Sequence, residues 1–363
     1  MRRGRGAREG AIGMIEVRGR VDDGFEDVRE EFAACLAEEP DDPGSQLVAY
    51  VDGRRVVDLY GGDDITADTL TGIFSVTKGA THIVVAQLVQ EGVLELDAPV
   101  ATLPFPLTLR ELLGHRSGLI GVDGGFTLAE LADDEMLAER LRAQRPFWTP
   151  RSAYGYHALV IGALVGAELR QVTGLSVQKL FAKRLGGRDL FLGLPEDEEP
   201  RFRPVLPATD AEPLRDPASL MAVAFNTSVD LVDFANDRNV RALGQASAGG
   251  IGNARGVAQL YAEALRTLDP ATITTFATPY SLGPDMVTGE TDHFGIGFET
   301  VAHDYPFLSA RAFGHAGAAG SLGWADPEVG VGYGYVRRRM GFPGPENQRL
   351  GAAVVRAARL RRG

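Results

Sequence analysis

One cysteine, Cys35, and three lysines, Lys78, Lys179 and Lys183, are all that a chain of 363 residues contains of these two types. A single thiol cannot form an intramolecular disulfide, which excludes a bridge-stapled secreted fold and suits a reducing, cytoplasmic setting. Long apolar runs are missing as well. The greasiest stretch, 83–89, is interrupted by Gln87, so no segment is expected to span a bilayer. The basic N-terminus has no apolar segment behind it and does not read as a signal peptide; residues 1–13 read as a flexible leader. Positive charge is scarce, with 37 Lys and Arg against 49 Asp and Glu and a net charge of −12. Such a field repels polyanions, so neither nucleic acid nor an anionic membrane is an expected partner. The six histidines include no His-x-x-x-His or His/Cys cluster, and no glycine-rich phosphate loop opens a helix. No metal and no cofactor is therefore expected.

What remains is a globular composition, 44% hydrophobic and 24% charged, long enough for two or three domains or one elaborated one. The stretch 45–60 gives two β-rich runs around Asp52-Gly53, a dipeptide suited to a two-residue hairpin. An amphipathic helix precedes it at 25–38. From 77 the periodicity is helical, over 77–90, 109–113, 128–142, 156–172, 176–185 and 253–268, with Gly92 and Gly174 as stops. Strand patterns return at 294–301, 310–317, 321–326 and 331–340, before a terminal helix from Gln348. Strands at both ends with helices between predict an α+β fold, its antiparallel sheet built from the N- and C-terminal segments and flanked by helices. The expected division is a sheet domain from 14–74 and 290–363 and a mostly helical domain over 75–289, with the active site at their interface.

Three stretches can carry chemistry. Ser75-Val76-Thr77-Lys78 lies where a strand-like segment gives way to a helix, and residues three apart share a helix face, so hydroxyl and amine can meet. A neutral lysine beside a serine is a base beside a nucleophile, and a chain that otherwise chooses arginine, which cannot deprotonate, makes Lys78 notable. A second Ser-x-x-Lys, Ser176 to Lys179, follows Thr173-Gly174 and reads as a helix cap on a basic surface. Tyr156 lies in Tyr-Gly-Tyr-His-Ala at the expected start of a helix, where a phenol near a cation can act as acid or base. The small-residue run 314–321, with His315 and Gly317, suggests close approach of a ligand or backbone to a strand. Gly114-His115-Arg116-Ser117-Gly118 places its serine one position too late for a nucleophile elbow.

Taken in order, Ser-x-x-Lys, a tyrosine about 80 residues on and His-x-Gly near the end resemble the serine β-lactamase and penicillin-binding-protein superfamily. The likeness is strongest to the class C β-lactamase-like esterases, the family VIII type. It covers most of the chain from about Ser45, including 74–100, 107–119 and 313–336. The resemblance implies a β-lactamase-like fold with Ser75 as nucleophile, Lys78 as its partner and Tyr156 as shared acid/base. It also implies the N–H groups of Ser75 and Ala318 as an oxyanion hole, with His315 and Gly317 beside the bound acyl group. Whether Lys78 or Tyr156 takes the serine proton stays open. Two departures bear on substrate. Ala158 stands where β-lactamases usually have an amide-binding Asn, and His315 where they usually have a Lys that binds a substrate carboxylate. Both move the reading toward simple esters: a serine hydrolase acting through an acyl-enzyme on a small-molecule ester or acyl substrate. An acyltransferase on the same site is the alternative, then a β-lactamase or D-amino-acid peptidase, and last a non-catalytic binding module. Pocket residues are expected from loops at 121–126, Trp148, 195–217 and 285–294.

Overall fold

Asp52 and Gly53 both take positive φ, 49° and 78°, closing the expected hairpin as a tight two-residue turn. The computed structural model describes residues 16–39, 44–209, 216, 218–341 and 343–362. The leader expected at 1–13 and part of the 195–217 loop lie outside them.

The chain begins β1 (Arg18–Val21), α1 (Glu26–Glu38), β2 (Ser45–Val51), β3 (Arg54–Gly61), β4 (Thr71–Gly72) and α2 (Val76–Gln90). It continues through α3 (Leu109–Leu113), α4 (Leu128–Ala132), α5 (Asp134–Ala143), α6 (Ile161–Thr173), α7 (Val177–Leu185), β5 (Leu190–Phe191), α8 (Leu220–Ala224), α9 (Leu231–Asn236), α10 (Arg238–Leu243) and β6 (Ile251–Gly252). It ends with α11 (Ala254–Thr267), α12 (Pro270–Ala277), α13 (Val301–Asp304), β7 (Phe313–Ala316), β8 (Leu322–Asp326), β9 (Val331–Arg337) and α14 (Pro345–Arg362). N- and C-terminal strands join in one antiparallel six-stranded sheet, β1-β3-β2-β9-β8-β7, which leaves β7 on an edge. The fold is α+β and β-lactamase-like, as expected. The small second sheet, β4-β6-β5, has two-residue strands too short to carry a hydrophobic pattern and was not expected.

The sheet is covered on both faces. Leu47, Ala49, Leu59, Trp324 and Tyr333 pack with Phe32 of α1 and Leu350 and Val354 of α14. Val48, Ala325 and Val336 face α11 and α2. Alternate side chains point to opposite faces, so one strand serves both cores. Glycines in β8 and β9 let α11 sit close: a Cβ at Gly334 would lie 2.6 Å from Ala254 O, and one at Gly332 2.4 Å from Ala262 N. Although α11 falls within the stretch 75–289, it lies on the sheet. Helix α2 is apolar nearly all round and is buried over 13 of its 15 residues, the position of a central core helix.

Three sequence expectations are corrected. The helix expected at 128–142 is two, because Asp133 leaves helical geometry and caps α5 by accepting from the N–H groups of Glu135 and Met136. The helix expected from 156 starts at Ile161, so Tyr156 lies in irregular chain ahead of it. No strand forms over 294–301: Gly297 has φ +82°, and the segment folds back on itself through a Gly295 N–H bond to Phe298 O. Among the described residues no helix is long and apolar enough to cross a membrane.

Candidate active site

Identical spacing leads to different geometry in the two Ser-x-x-Lys stretches. At Ser176 the hydroxyl accepts from the Lys179 N–H, an ordinary helix cap, and Lys179 is exposed. At Ser75, which stands at the N-cap of α2, the hydroxyl caps nothing. Its Oγ lies 2.9 Å from Lys78 Nζ and accepts from the Tyr156 phenol at 2.8 Å. Phe74, just ahead, has φ +45°, a left-handed turn that non-glycine residues adopt only at a cost of about 1–2 kcal/mol. The nucleophile candidate thus sits at a strained bend between β4 and α2.

Lys78 is wholly buried. Its amine donates to Ala158 O at 2.6 Å and Ser247 O at 3.0 Å, leaving Ser75 as the third contact. Burial lowers its pKa from 10.5 to about 7, although the charge of Glu299 opposes the fall. A substantial fraction of neutral amine is therefore present at neutral pH. Burial acts oppositely on Tyr156, raising its phenol well above the usual range, with the charge of Glu299 adding to the rise. The phenol stays protonated and is a donor. Its ring stacks on Phe294, centroids 5.3 Å apart, and the Lys78 amine lies 4.9 Å from its ring centre.

Neither Ser75 N–H nor Ala318 N–H has a hydrogen-bond partner among the described residues. Gly317 holds the end of β7 against the bend, since a Cβ there would lie 2.5 Å from Ile73 O, and Ala318 packs in a small cluster with Phe74. Any larger residue at 317 would collide with the Ile73 carbonyl just ahead of Ser75. His315, expected beside the acyl group, does not itself line the cavity. Its side chain is fully buried and stacks toward Tyr156, while Ala316, Gly317 and Ala318 border the cavity. Strand alternation turns 315 inward and 316 outward. His315 Nδ1 lies 2.8 Å from Ala316 O and 3.0 Å from Glu299 Oε1, so Nδ1 carries the proton. Burial lowers its pKa to about 4, leaving the ring neutral at pH 7.

A cavity of about 690 Å³ opens onto Ser75 and Tyr156. Of the loops expected to supply it, 285–294 does so, through Thr288, Glu290 and His293. Phe225, Tyr305 and the start of α14 complete the wall, whereas 121–126, Trp148 and the described part of 195–217 do not border it. Sequence reasoning missed Glu299, which accepts from Ala316 N–H at 2.8 Å and pairs with His315 and His293. These histidines hold its carboxyl below the usual range despite burial, while Glu299 with Glu290 and Asp304 raises His293 to about 9 against its own burial. A carboxylate in a glycine-rich segment read as strand gives no signal of this kind. Among the described residues no group of three His, Cys, Asp or Glu side chains is placed to hold a metal ion.

A serine hydroxyl in contact with a buried amine and a phenol, in a fold built on a six-stranded antiparallel sheet, forms a candidate acyl-transfer site of the kind serine hydrolases use. The Beta-lactamase family model matches residues 32–357, and the chain belongs to that family. EstA from Arthrobacter nitroguajacolicus Rue61a has a similar structure, with a TM-score of 0.88 and 40% identity over 94% of this chain and 99% of that one. A family VIII carboxylesterase superposes with a TM-score of 0.84 and 30% identity, over 94% of this chain and all of the other. The esterase/beta-lactamase LipL of Mycobacterium tuberculosis (strain ATCC 25618 / H37Rv) is 29% identical over 341 residues, 83% of this chain and 78% of LipL.

Proposed function

We propose that the protein is a carboxylic-ester hydrolase that works through an acyl-enzyme on Ser75, with Lys78 as general base and Tyr156 as general acid. The observation that carries this reading is the environment of the Lys78 amine. A neutral amine has two N–H groups, and two backbone carbonyls take them, so its lone pair is left for the Ser75 O–H. The relatives known as esterases support the choice of substrate class.

In acylation the Ser75 proton passes to Lys78 Nζ while Oγ bonds to the ester carbonyl carbon. The oxyanion takes the free N–H groups of Ser75 and Ala318, with the N-terminus of α2 adding its partial positive charge. On collapse the carbon–oxygen bond to the alcohol breaks, and the departing alkoxide takes the phenolic proton of Tyr156, which the Lys78 ammonium replaces. Water then gives a proton to the same amine and attacks the acyl carbon. Ser75 Oγ leaves, reprotonated, with the carboxylic acid.

A neutral His315 offers no fixed cation to a β-lactam carboxylate, and at 158 only the backbone carbonyl is used, by Lys78. Both favour simple esters over β-lactams. The lone Cys35, free and buried, supports a cytoplasmic setting. The test is p-nitrophenol release from p-nitrophenyl acetate, butyrate and octanoate, with nitrocefin in parallel. The wild type is expected to turn over the esters well above nitrocefin and Ser75→Ala to lose that turnover; equal rates in the variant would refute the reading.

A further inference from the structure

Tyr156 must hold its phenol 2.8 Å from Ser75, yet it has no helix to stand on, because α6 begins only at Ile161. Its backbone is held instead by individual bonds. Gly155 N–H donates to His115 O at 3.1 Å, Tyr156 N–H to Asp285 Oδ1 at 3.2 Å, and His157 N–H to His115 Nδ1 at 3.2 Å. His115 therefore grips the chain on both sides of the tyrosine, once with its carbonyl and once with its ring. The ring also packs edge-on against the Tyr156 ring, centroids 5.5 Å apart, and 4.4 Å from the Phe294 ring on which that tyrosine stacks.

The neighbouring bonds fix the protons. His157 Nδ1 lies 2.6 Å from Gly155 O, a pure acceptor, so Nδ1 carries the hydrogen and Nε2 accepts from the Ser117 hydroxyl at 2.6 Å. His115 Nδ1 accepts from the His157 N–H, so its proton is on Nε2. Both rings are fully buried and neutral at working pH. Neither reaches the cavity. Ser117 with His157 is thus no second nucleophile, and the histidines act through placement alone.

We propose that His115 is a positioning residue for the general acid: it clamps 155–157 so that the Tyr156 phenol meets Ser75 and the departing alkoxide. This rests on the acid role given to Tyr156 above. A misplaced phenol hurts most where the leaving group needs a proton. His115→Phe, which keeps a ring but has no acceptor, should therefore lower kcat on ethyl butyrate by roughly 10- to 100-fold with little change in KM. On p-nitrophenyl butyrate, whose phenolate leaves unaided, the loss should be several-fold smaller. His115→Asn keeps an acceptor near the Nδ1 position and suits the positive φ of 59°, so it should restore most of the lost rate. If the Phe variant does not fold, His115→Gly, free of strain at that φ, carries the same comparison.

The deciding experiment is a double-mutant cycle with Tyr156→Phe, read on the p-nitrophenyl ester. If His115 acts through Tyr156, adding the 115 substitution to Tyr156→Phe changes kcat no further. Multiplying effects, or equal losses on both esters, would overturn the clamp. Full activity of Tyr156→Phe alone on ethyl butyrate, whose alkoxide needs the proton, would overturn the acid role itself, and loss in Tyr156→Phe on that ester with none in the 115 variants would overturn only the clamp.

Discussion

At the scale of single residues, the proposed chemistry turns on the choice of lysine over arginine at 78. With a pKa of about 7 the amine is half neutral near pH 7. If the neutral form is the base, as proposed, kcat/KM should rise with pH through about 7 and then level. No descending limb is expected at moderately alkaline pH, because Tyr156 holds its proton well above the usual phenol range. A pH–rate profile on p-nitrophenyl acetate checks both limbs. Lys78→Arg, which cannot deprotonate, should lose roughly 100- to 10,000-fold in kcat. Ser176→Ala should leave activity intact and lower stability by about 1 kcal/mol, the worth of a helix cap, measured by urea denaturation. Much of this was legible in the sequence. Ser75, Lys78, Tyr156, Gly317 and Ala318 were each singled out, and the structure brings Ser75, Lys78 and Tyr156 into contact. Glu299, Asp285, His115 and the carbonyls of Ala158 and Ser247 were not, since a backbone acceptor has no residue type to give it away and the others act only through distant partners.

Among the elements, strong local signals were legible and tertiary ones were not. The hairpin at 52–53, the αL stop at Gly174 and helix α11 follow from turn chemistry and 3.6-residue periodicity. Apolar residues continuing back through 156–160 point to a helix there, but the Tyr156 and His157 N–H groups go to Asp285 and His115 instead. The strand expected at 294–301 failed because alternation fits a folded-back segment that Gly295 and Gly297 allow: a Cβ at Gly297 would lie 2.7 Å from the His82 ring. Close approach of α11 to the sheet makes its own prediction. Gly334→Val places side-chain atoms where Ala254 O and Ala258 N now lie, 2.6 and 2.7 Å from the added Cβ. Backbone on both sides cannot yield, so a loss of about 3 kcal/mol or more in urea denaturation is expected.

At the scale of the whole molecule, N- and C-terminal segments complete the main sheet, with Ser75, the proposed nucleophile, at the start of the buried helix α2 and the cavity between edge strand β7 and the loops after α12. Cys35 is buried at 4% exposure between α1 and the sheet, and burial pushes its thiol up to about 12. Native protein should therefore resist a thiol-specific disulfide reagent until it is unfolded, and its activity should be the same with and without reductant. The central claim is that one hydroxyl, on Ser75, carries the acyl group. Its most direct test is peptide mapping by mass spectrometry after a rapid acid quench of protein mixed with p-nitrophenyl butyrate. The account predicts a butyryl adduct on the peptide containing Ser75, absent from Ser75→Ala; an adduct on Ser117 or Ser176, or turnover that persists in Ser75→Ala, would contradict it.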